Sequence, residues 1–116
     1  MYCVSDEQMW KEAADGLYEA VKRIEKGEWF DSFRPIQLFN LYLVASLLYY
    51  REDTSIMSDL NYDRLCRYLL IRYDFIKKII WHKELLQKER LKAGTGFDIK
   101  YPSAIYCISQ HYTRII

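Results

Sequence analysis

The longest apolar run of the chain covers residues 41–50 and is interrupted only by Ser46. A membrane span takes about 20 apolar residues, so this shorter run predicts a buried helix instead. Gly and Pro number only four and two, which leaves long stretches free to be helical. We therefore expect residues 1–116 to form a single domain, a compact all-α bundle of four to five helices around this central one.

Capping signals predict where the helices begin and end. Ser5 with Gln8 resembles a capping box at the start of the first helix, and Gly27 is a suitable stop for it. Ser58 is a candidate N-cap for the third helix. The other predicted boundaries are a second helix from between residues 32 and 35 to about 50, a break at 72–74, a fourth helix from 75 to about 92, a loop over 93–102 and a short last helix from 102–103.

Cysteine and histidine usage gives no sign of a metal or catalytic centre. Cys3, Cys66 and Cys107 are far apart and odd in number, which fits neither a metal-ligand spacing nor a disulfide framework. They favour a reduced, cytoplasmic protein. A Cys107–His111 pair lacks an orienting third group, and with His82 as the other histidine a zinc site is not expected.

The segment after the apolar run concentrates aromatic and acidic side chains. Asp59, Tyr62 and Asp63 are spaced i, i+3 and i+4, so they share one helical face. Tyr49 and Tyr50 end the preceding helix, and a helical hairpin through the intervening loop would place them beside this group. Aromatic faces and carboxylates together suit a flat ligand that carries hydroxyls or a positive charge.

The same segment, YYREDTSIMSDLNYDRL, resembles the signature of the small N-terminal helical Ia domain of bacterial NAD-dependent DNA ligases. The resemblance covers about residues 41–73 and implies a ligase-Ia-like helical hairpin. That domain recognises the nicotinamide mononucleotide (NMN) half of NAD. The resemblance thus implies NAD or NMN as ligand, while the spacing of the cysteines and histidines gives no reason to expect a metal.

Carried over position by position, the resemblance implies ligand contacts from Tyr49, Tyr50, Asp59, Tyr62 and Asp63. Tyr50 stands where the family often has His, and a phenol is neutral where His can carry charge. The chain has no Lys-x-Asp-Gly adenylation motif. It is therefore expected to keep the nicotinamide pocket without the ligation chemistry, as a non-enzymatic protein.

Two other interpretations of these features remain open. Ser-Asp-x-x-Tyr-Asp is also an ordinary helix start, in which Ser58 caps, Asp59 favours the helix dipole and Tyr62 packs inward as a core residue. The compact, Tyr-rich chain with part of a host-like motif is also what a bacteriophage protein could look like. A separate alternative to nucleotide binding is a protein–protein interaction that inhibits or regulates a host factor.

The predicted fourth helix carries apolar residues on two faces. One face is broad, and Trp81 with Leu85 lies nearly opposite, which makes these two residues candidate anchors for a protein partner unless the helix is sandwiched in the core. Residues 64–92 also contain nine Lys or Arg and three acids. Nucleic acid is therefore a further, less favoured partner, the alternative being an ordinary solvated surface.

Overall fold

In the computed structural model, residues 7–80, 83–96 and 98–116 are described. Over these ranges the chain forms α-helices and two short 3-10 turns but no strand, so the predicted compact all-α fold is confirmed. The 3-10 turns are Phe30–Ser32 and Lys83–Leu85. The helices are α1 (Glu7–Glu25), α2 (Pro35–Glu52), α3 (Asp59–Ile71), α4 (Tyr73–Ile79), α5 (Lys88–Ala93) and α6 (Ser103–Ile115).

Helix α2 is the centre of the molecule, as its apolar run predicts. Every residue from 41 to 48 is buried, Ser46 included. Helices α3, α4 and α6 pack against it, and α1 packs on α6. Among the described residues no helix is both long and apolar enough to cross a membrane.

Local capping signals place most helix ends correctly. The Ser58 hydroxyl accepts a hydrogen bond from the Asn61 N–H and so caps α3 as predicted. Gly27 follows the end of α1 with a φ of 97°, and Arg72 separates α3 from α4. The predicted cap Ser5 lies outside the described residues.

The prediction of one continuous helix over residues 75–92 is wrong. The backbone becomes extended at Ile80, passes through a 3-10 turn and re-enters a helix at Lys88. On a continuous helix, Leu85 and Leu86 would lie about 140° and about 120° around the axis from Ile80, in opposite directions, since each residue advances about 100°. The break lets all three bury in one core.

This break also corrects the predicted partner face. Leu85 is only 4% exposed, so it is a core residue and not a surface anchor. Trp81 lies outside the described residues. The second apolar face predicted from the sequence is therefore, at Leu85, a face buried within the bundle.

The expectation that the cysteines are unpaired is wrong at one position. Cys107 of α6 is disulfide-bonded, whereas Cys66 of α3 is a free, buried thiol. Cys3 lies outside the described residues. Cysteine usage therefore no longer supports a reducing compartment.

Candidate ligand-binding pocket

A cleft of about 230 Å³ lies where α2 ends, α3 begins and α5 gives way to the following loop. The prediction that the tyrosines ending α2 lie beside the acidic face of α3 is confirmed, because all five candidate residues line this one cleft. They are Tyr49, Tyr50, Asp59, Tyr62 and Asp63, joined by Ala45, Ser55, Ile56, Met57 and Gly94.

The turn between α2 and α3 brings the two groups together. Asp53 ends α2 in the left-handed region, with φ 51° and ψ 38°, a conformation that Asp tolerates better than most residues. The Thr54 N–H then bonds the Leu48 carbonyl at 2.8 Å, which folds the chain back at the helix end. Ser58 starts α3 five residues after Asp53, so the connection is short.

Tyr62 forms the inner wall of the cleft. Its ring stacks on Tyr42, with centroids 6.1 Å apart, and its hydroxyl lies 2.7 Å from Ser46 Oγ. The Ser46 hydroxyl already donates to the Tyr42 carbonyl at 2.7 Å, so Tyr62 must donate to Ser46. Burial raises the pKa of Tyr62 well above its usual range, and the hydroxyl stays protonated.

Tyr62 thus combines two roles that the sequence presented as alternatives. Its ring lines the cleft, while its hydroxyl is committed to the interior of α2. The inward-packing interpretation of Tyr62 and a place in the pocket are therefore compatible.

Tyr49 and Tyr50 form the rim on the α2 side. Their ring centroids are 4.8 Å apart and the planes are nearly perpendicular, at 85°. The Thr95 hydroxyl donates to Tyr50 Oη at 3.0 Å and ties this ring to the loop after α5. Tyr49 is 50% exposed, so its ring is accessible to a molecule entering the cleft.

The charge of the cleft is negative. Asp63 lies 3.1 Å from Arg67 in an exposed i, i+4 ion pair and is itself 45% exposed. Asp59 is exposed, and among the described residues no ion pair involves it. The described residues lining the cleft include no Lys, Arg or His.

The loop after α5 is the part of the site that sequence reasoning missed. Gly94 ends α5 with φ 66°, a left-handed conformation that favours glycine. A Cβ atom on Gly94 would lie 3.2 Å from Asp63 Oδ1, and one on Gly96 would collide with Ser46. The sequence Gly-Thr-Gly predicts a loop at this position. It does not indicate that the loop lies beside Asp63.

Hydrogen bonds from α2 and the following segment hold this loop in place. The Tyr42 hydroxyl donates to the Thr95 carbonyl at 2.8 Å. The Tyr101 hydroxyl donates to the Gly96 carbonyl at 2.9 Å. Both donors are buried, so these two bonds tie the loop that follows Gly94 to the core.

The basic segment over residues 64–92 is partly neutralised. Its cations Arg67, Arg72 and Arg90 form ion pairs with acids, at 3.1, 3.2 and 2.8 Å. The partners of the last two, Asp31 and Asp98, come from other parts of the chain. This arrangement favours a solvated surface over a phosphate-binding one.

Comparison with protein-family models, curated proteins and solved structures finds no match to the chain. The resemblance of residues 41–73 to the ligase Ia domain therefore depends on the sequence motif alone.

Proposed function

We propose that the cleft binds the NMN half of a nicotinamide nucleotide, either as free NMN or within NAD, without catalysing a reaction. The observation that carries the proposal is the convergence of the five motif residues on one cleft. Two tyrosines from the end of α2 and two carboxylates from the start of α3 thereby line the same space.

The chemistry of the walls supports this ligand. A pyridinium ring is flat and positively charged, so it gains from the tyrosine rings and from both carboxylates. Ribose hydroxyls can donate to Asp59 or Asp63, because an ionised carboxylate only accepts. The cleft volume of about 230 Å³ is below the roughly 300–1,000 Å³ of pockets for drug-sized ligands, which favours one half of a dinucleotide.

A thermal-shift panel tests the proposal with NMN, NAD, AMP and ADP-ribose. NMN and NAD should raise the melting temperature, while AMP and ADP-ribose, which lack the pyridinium ring, should not. Equal shifts from all four compounds would show general nucleotide binding and contradict nicotinamide recognition.

Matched alanine variants locate the binding. Tyr49→Ala removes a half-exposed ring of the cleft and should reduce the NMN shift. Trp29→Ala removes a ring that is 76% exposed and does not line the cleft, so it should leave the shift unchanged. A loss of the shift in both variants, or in neither, would show that NMN does not bind at the Tyr49 rim.

A second candidate function is protein–protein interaction, favoured by a row of exposed apolar side chains. Ile71, Phe75 and Ile79 recur every four residues across the end of α3 and α4, and are 80%, 53% and 44% exposed. Such rows commonly mark interaction surfaces. Sedimentation of the protein alone tests whether a second copy of the chain is the partner. Phe75→Lys should abolish any self-association.

A further inference from the structure

The negative charge of the cleft affects whether it binds a pyridinium nucleoside with or without a 5′-phosphate. Its charged lining residues are Asp59 and Asp63, and Arg67 offsets only the second of them through an exposed pair. A ligand cation would therefore be attracted to the cleft, and a ligand phosphate would be repelled. NMN carries both groups, so the two effects oppose each other in that molecule.

The start of α3, the usual place for a phosphate beside such a cleft, is already occupied by an acid. Helix N-termini attract anions through their unpaired N–H groups. Here the Glu25 carboxylate accepts from the Ser58 N–H and from the Ser58 hydroxyl, each at 3.0 Å. It also accepts from the Asn61 side-chain amide. A phosphate at this position would have to displace Glu25.

The described residues of the rim on the α2 side include no cation that could pair with a phosphate. Tyr49 and Tyr50 are neutral phenols, and Thr95, which bonds Tyr50, is neutral as well. Among the described residues that line the cleft, a 5′-phosphate beside this rim would find hydroxyls but none of the strong partners that Arg or Lys provide.

We propose that the cleft selects the phosphate-free pyridinium nucleoside, N-ribosylnicotinamide, over NMN. This inference rests on the proposed function, because it concerns the same cleft and the same ring. The pyridinium and ribose would occupy the cleft, and the 5′ position would point to solvent. A 5′-phosphate would then add repulsion from the carboxylates without adding a contact.

Calorimetric titration with N-ribosylnicotinamide and NMN, at low and high salt, tests the preference. Two charges about 4 Å apart in water interact by roughly 1 kcal/mol, so the nucleoside should bind about fivefold more tightly at low salt. The ratio should approach one near 1 M salt, where charges are screened beyond about 3 Å.

Charge variants separate this preference from the binding itself. Asp59→Lys should reverse the preference, so that NMN binds more tightly than the nucleoside. Asp59→Asn should reduce the ratio of the two affinities without reversing it. Asp74→Asn, on an exposed residue of α4 that does not line the cleft, should leave it unchanged. Circular dichroism establishes whether each variant is folded. Asp59→Asn still tests the preference if Asp59→Lys is unfolded.

The outcomes are distinguishable. Tighter binding of the nucleoside, with the expected salt and variant effects, supports the inference. Equal or tighter binding of NMN by the wild type overturns it and leaves the proposed function standing. Failure of both compounds to bind removes the proposed function and this inference with it.

Discussion

The hydroxyl of Tyr62 donates to Ser46 Oγ at 2.7 Å, joining the first turns of α3 to the middle of the buried helix α2. This bond ties a residue of the candidate site to the hydrophobic core, against which its ring packs. The stability of the fold and the proposed binding of NMN therefore both involve Tyr62, and two substitutions there should separate the two effects.

Tyr62→Phe keeps the ring and removes the bond to Ser46. We expect a loss of about 1 kcal/mol in the free energy of unfolding and retention of NMN binding. Tyr62→Ala removes the ring as well and should cost about 3 kcal/mol or more. Urea unfolding measures both, and equal costs would show that the ring is not packed in the core.

Gly94→Ala should weaken both the fold and the site. The positive φ of Gly94 costs an L-residue about 1–2 kcal/mol, and the new Cβ would lie 3.2 Å from Asp63 Oδ1. Gly16→Ala is the matched control, because this helical glycine has only an ordinary contact at 3.7 Å. It should stabilise the protein by about 0.5–1 kcal/mol. Stabilisation by both substitutions, measured by urea unfolding, would refute the strained geometry at Gly94.

The protein should lose stability in alkali. Burial raises the pKa of Tyr42, Tyr62 and Tyr101 above the usual value near 10, and raises the pKa of Cys66 to about 12. The unfolded chain then releases protons at a pH where the folded one keeps them. This stabilisation is present below about pH 9 and is lost as the pH rises towards the folded-state values.

Urea unfolding at several pH values between about 8 and 11 measures this effect. Tyr62→Phe removes one of the contributing groups, so its stability should fall less steeply with pH than that of the wild type. A wild-type stability that stays constant to about pH 11 would contradict the burial of these hydroxyls.

We expect no adenylyl transfer by this chain. The adenylation motif Lys-x-Asp-Gly is missing from the sequence, and a lysine nucleophile is what accepts AMP in the ligases that the segment resembles. Incubation with NAD labelled in its adenylate and with Mg²⁺ should leave the protein unlabelled. Covalent AMP on the protein would refute the non-enzymatic interpretation.

Features encoded by neighbouring residues could be predicted from the sequence. The Ser58 cap and the meeting of Tyr49 with Asp63 across a short connection both depend on residues close in the chain. The break at Ile80 could not be predicted, because it follows from how Leu85 and Leu86 fit a core built by other helices.

The contribution of Gly94 escaped prediction for the same reason. Its nearest site partner, Asp63, is 31 positions earlier in the chain, and the loop is held by Tyr42 of α2. Long-range packing, and not local propensity, therefore determines the parts of the site that were missed.

The most direct test of nicotinamide-nucleotide recognition is the free energy of unfolding with and without NMN, in the wild type and in Asp63→Asn. Asp63 is partly exposed, so Asp63→Asn alone should change stability by no more than about 0.5 kcal/mol. NMN at one hundred times its dissociation constant should add about 2.7 kcal/mol to the wild type and clearly less to Asp63→Asn. If neither NMN nor NAD at millimolar concentration changes the wild-type stability, the proposed function is wrong.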